Sequence, residues 1–192
     1  MKGVYLFLAD GFEDVEALAT NDVLRRGGVD TTLVALTDDP IVESSHGVWV
    51  SAEAFLPEMD TDPAGTDADD VLIFPGGMPG SKGLASCSPL IELMREHYAA
   101  GGTVAAICAA PGLVLSQLDA ADLKGKKFTC FDGFQDPLIA KGAVYTPDPA
   151  VRAGRIVTGR SAGHAFAFAL EILRGIKGDA VADKVRHALY LD

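Results

Sequence analysis

Three kinds of side chain could carry nucleophilic or acid–base chemistry in this chain: cysteines, histidines and a group of carboxylates near the start. The cysteines are Cys87, Cys108 and Cys130, and the histidines are His46, His97, His164 and His187. Cys108 is set apart by its neighbours. It closes the small apolar run Val104-Ala105-Ala106-Ile107, and Ala109-Ala110-Pro111 follows it. A second apolar run, Gly112-Leu113-Val114-Leu115, comes next. The pattern predicts a buried strand, a sharp turn carrying Cys108, and a helix that starts at once. Such a turn projects a side chain at the carboxyl end of a strand, where open α/β sheets place their ligands. A helix N-terminus there would favour a thiolate. The alternative is a core cysteine, because free cysteine is among the most buried residue types.

A reactive thiol needs a route for its proton. No histidine is adjacent to Cys108 in sequence. His97 and His187 fall on expected helix surfaces, His46 lies in an expected hairpin loop, and His164 starts a helix after a strand-end loop. The carboxylates are Asp10, Glu13, Asp14 and Glu16. Glu13 and Asp14 suit a helix start through capping and the dipole. Glu16, if turned inward beside the thiol, would share a proton with it, and burial would raise its pKa. The competing reading of Glu16 is an exposed first-turn carboxylate. No CxxC pair occurs, so neither a zinc site nor a disulfide framework is indicated. Pro75-Gly76-Gly77-Met78-Pro79-Gly80 is glycine-rich. Without Gly-Lys-Ser/Thr or GxGxxG it is a weak nucleotide signal, and no cofactor is expected.

The elements that must position these residues follow from hydrophobic pattern. Continuous apolar runs at 3–8, 31–36, 71–74 and 104–107 predict buried parallel strands. Helices are predicted at about 14–26, 88–99, 162–174 and 178–190. Val15, Leu18, Val23 and Leu24 are the candidate apolar face of the first helix. A hairpin is expected around Ser44-Ser45-His46-Gly47. Residues 57–69 read as an acidic surface connection with room for a helical turn. Short strands are expected at 127–131, 143–145 and 155–158, with a short helix or turn at 119–123 and at 136–140. Strands alternating with helices indicate a single α/β domain over residues 1–192, with a mostly parallel sheet covered on both faces. Its glycine-bearing strand-end loops should gather at one edge with Cys108.

Bulk properties bound the function. The 192 residues are 48% hydrophobic, which supports a substantial core. The net charge of −11 disfavours nucleic acid and anionic membranes as partners. The first apolar run, Val4 to Leu8, is too short for a signal peptide or a membrane span, so a cytoplasmic location is expected.

Four blocks carry a resemblance: Leu8-Ala9-Asp10-Gly11-Phe12-Glu13-Asp14-Val15-Glu16-Ala17, Pro75 to Gly80, Ala105-Ala106-Ile107-Cys108-Ala109-Ala110-Pro111, and Thr158-Gly159-Arg160-Ser161-Ala162-Gly163. In their order and spacing the chain resembles the ThiJ/PfpI family, in its DJ-one/YajL-like branch. The resemblance implies a flavodoxin-like three-layer sandwich, like that of class I glutamine amidotransferases, and a homodimer. It implies that Cys108 is the reactive nucleophile-elbow cysteine and Glu16 its buried, protonated partner. Gly76, Gly77 and Ala109 would shape an anion-stabilising pocket, with His164 at its rim. Two departures bear on mechanism. Ala109 stands where protease-like relatives carry histidine, which argues against a peptidase. Phe131 stands where several branch members carry a histidine near the cysteine, so a Cys–His dyad is doubtful.

Two functions follow from the same residues. One is a glyoxalase or a deglycase acting on small dicarbonyls or glycated substrates. The other is a non-catalytic redox sensor or oxidation-dependent chaperone. Thiazole-phosphate biosynthesis, a historical family label, has no residue to support it.

Overall fold

The central strands form where apolar side chains run without a break, because both faces of such a strand can be buried. In the structure, a computed structural model, residues 1–191 are described. The chain runs through β1 (Val4–Leu8), α1 (Asp14–Arg26), β2 (Thr31–Ala35), β3 (Ile41–Glu43), β4 (Trp49–Ser51), β5 (Ala54–Phe55), β6 (Val71–Phe74), α2 (Met78–Ser86) and α3 (Ser88–Ala99). It continues through β7 (Thr103–Ile107), α4 (Ala110–Leu113), α5 (Ala120–Leu123), β8 (Lys127–Phe128), α6 (Asp136–Ile139), β9 (Val144–Tyr145), β10 (Ala150–Ala153), β11 (Ile156–Gly159), α7 (Ala165–Lys177) and α8 (Asp179–Ala188).

Seven strands make the main sheet in the order β10-β11-β7-β6-β1-β2-β5. All neighbours pair in parallel except β10, which is antiparallel to β11 at the edge. Successive residues of a strand point to opposite faces, and the two cores divide accordingly. Phe7, Leu72, Phe74, Val104 and Ala106 pack on one side with Leu84, Leu90, Leu93 and Met94 of α2 and α3. Leu6, Leu8, Ile73, Ala105 and Ile107 pack on the other with α1, α7 and α8, through Val23, Leu24, Phe168, Leu173 and Val185. This is a three-layer, flavodoxin-like sandwich.

Several local expectations change. Met78–Ser86 is a helix, where the glycines and Pro79 suggest only a loop; proline is tolerated in a first helical turn. The short strands β5 and β10 carry little apolar signal, and only their pairing reveals them. The expected strand at 127–131 is regular only at Lys127–Phe128. His97, expected on a helix surface, is 1% exposed, with Nε2 3.1 Å from the Asp70 carbonyl. It belongs to the buried face of α3, beside Met94 and Tyr98.

The apolar face of α1 also differs. Val15 is 46% exposed. The buried stripe is Glu16, Ala17, Thr20, Val23 and Leu24. Glu16 thus occupies a core-facing position, one turn before Thr20.

Candidate active site

Parallel strands β11, β7, β6 and β1 are neighbours, so the loops after them lie together at one edge of the sheet. The loop after β7 is tight. Cys108 has φ of 65°, in the left-handed region that non-glycine residues seldom adopt. Its surroundings fix that conformation. The Cys108 N–H donates to the Gly159 carbonyl at 3.0 Å, and the Phe131 N–H donates to the Cys108 carbonyl at 2.8 Å. A strained residue clamped on both sides is the geometry of a nucleophile elbow.

The loops after β1 and β6 are knitted together. Glu13 donates its N–H to the Gly76 carbonyl at 3.0 Å, and Gly80 donates to the Gly11 carbonyl at 3.2 Å. Gly77 has φ of 88°, and a Cβ there would lie 2.3 Å from the Gly11 carbonyl oxygen. The Glu13 carboxylate caps α1 by accepting the Glu16 N–H at 2.8 Å. These links turn the first turn of α1 towards Cys108.

Glu16 and Cys108 meet across Gly76. Glu16 is 1% exposed, and its Oε2 accepts the Gly76 N–H at 2.7 Å. Its other oxygen, Oε1, has no hydrogen-bond partner among the described residues, and the Cys108 thiol is the side chain that interacts with the carboxyl group. A Cβ on Gly76 would sit 2.2 Å from Glu16 Oε2, 2.6 Å from Cys108 Cβ and 3.1 Å from Cys108 Sγ. Glycine is therefore the residue that lets the carboxyl and the sulfur approach the same backbone unit.

The electrostatics follow from burial. Desolvation, helped by the Glu13 charge, pushes the Glu16 carboxyl up to about 7, against the lowering effect of the Gly76 N–H. Desolvation also pushes the Cys108 thiol up to about 12, with the Glu16 charge and hydrogen bond adding to it. The amides of Ala109 and Gly77 act in the opposite sense on the sulfur. This corrects the expectation of a thiolate favoured by a helix terminus. Helix α4 has only four residues, and burial outweighs it. Two negative charges side by side in a buried site are costly, so the pair retains a proton at neutral pH.

The other candidates are placed as follows. Gly76, Gly77 and Ala109 lie within the constellation, and Ala109 is 2% exposed. His164 is half-buried, with its Nδ1 3.0 Å from Ser161 Oγ. The imidazole of His46 is exposed and pairs with Asp14 at 2.6 Å. Phe131 holds the position beside Cys108 through its backbone. Cys130 is fully buried, and burial pushes its thiol up to about 12. Cys87 is half-buried at the junction of α2 and α3. Glu13 is the residue that sequence reading undervalued: its place three residues before Glu16 identifies a cap, but not its electrostatic pressure on Glu16.

Comparison with known proteins identifies the family and agrees with the fold. The chain is 34% identical to protein DJ-1 homolog A of Arabidopsis thaliana over 99% of its own length, but spans only 47% of that protein. It is 31% identical to glutathione-independent glyoxalase DJR-1.2 of Caenorhabditis elegans, over 86% of this chain and 83% of that protein. The crystal structure of a DJ-1 superfamily protein from Salmonella typhimurium superposes with a TM-score of 0.85 at 31% identity, covering 99% of this chain and 98% of that one. The pattern of the DJ-1/PfpI family matches residues 2–175, and the chain belongs to that family.

Proposed function

We propose that this chain converts small 2-oxoaldehydes such as methylglyoxal into 2-hydroxy acids, with Cys108 as nucleophile and Glu16 as the proton carrier. The observation that carries the reading is the buried Glu16 carboxyl held beside a strained, half-buried Cys108 across Gly76. The relative named a glutathione-independent glyoxalase supports it. In the reaction, sulfur bonds to the aldehyde carbon as the thiol proton passes to Glu16, which hands it on to the carbonyl oxygen and is left as a carboxylate. The hydrogen on the former aldehyde carbon then moves to the neighbouring carbon as a proton, by way of Glu16, while the hydroxyl proton on the first carbon passes to the neighbouring carbonyl oxygen. This oxidises the first carbon by two electrons and reduces the second by two, leaving a thioester. Water cleaves the thioester, releases the 2-hydroxy acid and restores the thiol. No external oxidant or cofactor enters. The amides of Gly77 and Ala109 stabilise negative charge near the sulfur, and His164 belongs to the rim of the pocket. Deglycation of adducts on proteins or nucleotides would use the same first addition.

The location in this reading is cytoplasmic, and the assembly is a homodimer. Among the described residues, no helix is long and apolar enough to cross a membrane. Support for the dimer comes from Val15, Ile41, Val48 and Trp49, which are 44–71% exposed on the first turn of α1 and the β3–β4 hairpin. Asp14 ties those two elements together through Ser44 and His46. Sedimentation of the purified chain would test it: a dimer that Trp49→Glu dissociates is expected, and a monomeric wild type would refute it.

A second reading has its own support. The amides at the Cys108 sulfur and the neighbouring protonatable carboxyl would also stabilise a sulfinate, making the site an oxidation sensor or an oxidation-dependent chaperone. Incubation with methylglyoxal separates the two. Lactate formation that disappears in Cys108→Ala supports the enzyme. Absence of lactate, with peroxide oxidation confined to Cys108, supports the sensor.

A further inference from the structure

The segment 129–134 is stapled to the nucleophile. The Phe131 N–H donates to the Cys108 carbonyl at 2.8 Å, and the Thr129 N–H donates to Thr158 Oγ1 at 2.9 Å, next to the Gly159 that receives the Cys108 N–H. Phe134 closes the turn by donating its N–H to the Phe131 carbonyl at 3.1 Å. It also sits tightly on the helix after the nucleophile: a Cβ on Gly112 would lie 2.1 Å from the Phe134 carbonyl oxygen and 2.9 Å from its Cβ. The two rings meet edge to face, with centroids 6.5 Å apart.

Thr129 and Cys130 are both fully buried, yet the next residue, Phe131, is 48% exposed. The neighbouring polar side chains are committed elsewhere. Asp132 takes Arg160 at 3.1 Å and the Tyr145 hydroxyl at 3.3 Å, while Arg160 also donates to the Pro147 carbonyl. A half-exposed apolar ring is thus carried by a residue whose backbone is bonded to the nucleophile's own peptide. A methyl substituent covers little of such a ring; a flat apolar substituent covers it and gains from burial and edge or face contact.

We infer that the Cys108 site takes 2-oxoaldehydes bearing an aromatic or similarly flat apolar substituent, and that Phe131 is the residue that selects them. This rests on the proposed 2-oxoaldehyde chemistry and names its substrate class. Phenylglyoxal would follow the same atom balance, with water added and mandelate released.

The test compares kcat/KM for phenylglyoxal and methylglyoxal, read as mandelate and lactate, in the wild type, Phe131→Ala and Phe131→Tyr. The expected wild-type ratio favours phenylglyoxal by about tenfold or more. Phe131→Ala should bring it near one, by a larger fall in kcat/KM for phenylglyoxal than for methylglyoxal, and Phe131→Tyr should keep the preference. Should Phe131→Ala fail to fold, Phe131→Leu replaces it, with an intermediate ratio expected. A wild-type ratio near one, or a preference unchanged in the Ala or Leu variant, overturns the inference alone. No lactate or mandelate from any variant overturns the proposed chemistry, and the inference with it.

Discussion

The buried carboxylate oxygen Oε2 of Glu16 accepts the Gly76 N–H at 2.7 Å, from the side of the backbone that Cys108 also approaches. This one bond joins the loop after β6 to α1 and sets the carboxyl against the thiol. It constrains stability as well as chemistry.

The first prediction concerns pH and stability. The Glu16 pKa is about 7 when folded, against an ordinary value of 4.5. Between these values the folded chain holds a proton that the unfolded chain has lost. The stabilisation is complete below about 4.5 and is lost as pH rises through about 7, amounting to about 3 kcal/mol. Glu16→Gln keeps a carbonyl acceptor for Gly76 and removes the titration. Urea unfolding should therefore show the variant gaining on the wild type by about 3 kcal/mol between pH 4.5 and pH 8. A difference independent of pH would contradict the raised pKa.

Gly76→Ala tests the close approach. Its Cβ would lie 2.2 Å from Glu16 Oε2 and 2.6 Å from Cys108 Cβ, with no flexible chain end to absorb both contacts. A destabilisation of about 1–3 kcal/mol is expected, together with loss of turnover at Cys108. Wild-type stability and activity would show that the site can open without cost.

The reach of the sequence is clearest at α1. Its bounds, Asp14–Arg26, coincide with those read from capping and periodicity, as do those of α3 and β6. The loops after β1, β6 and β11 do gather at the edge of the sheet where Cys108 follows β7, because these strands are neighbours in the sheet. The orientation of Glu16 was not legible in the same way: periodicity assigned the buried face to Val15, Leu18, Val23 and Leu24, of which Val23 and Leu24 are buried, whereas packing against α7 and the sheet turns Glu16 and Thr20 inward. A carboxylate on a buried stripe looks like an error until its partner, Gly76, is known. His97 reads as a helix-surface residue for the same reason, since its carbonyl partner on Asp70 lies far away in sequence. Helix α2 was hidden by Pro79 and Gly80, and β10 by its edge position.

The cysteines should separate by accessibility. Cys130 is fully buried and its thiol is raised to about 12. Cys87 and Cys108 are half-buried. Iodoacetamide labelling of the native protein at pH 8, mapped by mass spectrometry, should leave Cys130 unmodified until denaturant is added. Early labelling of Cys130 would contradict the packing around β8.

The pairing of Cys108 with Glu16 is tested most directly by the rate of lactate formation from methylglyoxal in the wild type, Cys108→Ala and Glu16→Gln. The wild type should turn over, with a rate that rises with pH through about 7 as Glu16 becomes able to accept the thiol proton. Cys108→Ala should be inactive, and Glu16→Gln should fall by about a hundredfold or more, without the rise near pH 7. Lactate formed by Cys108→Ala at the wild-type rate would contradict the account.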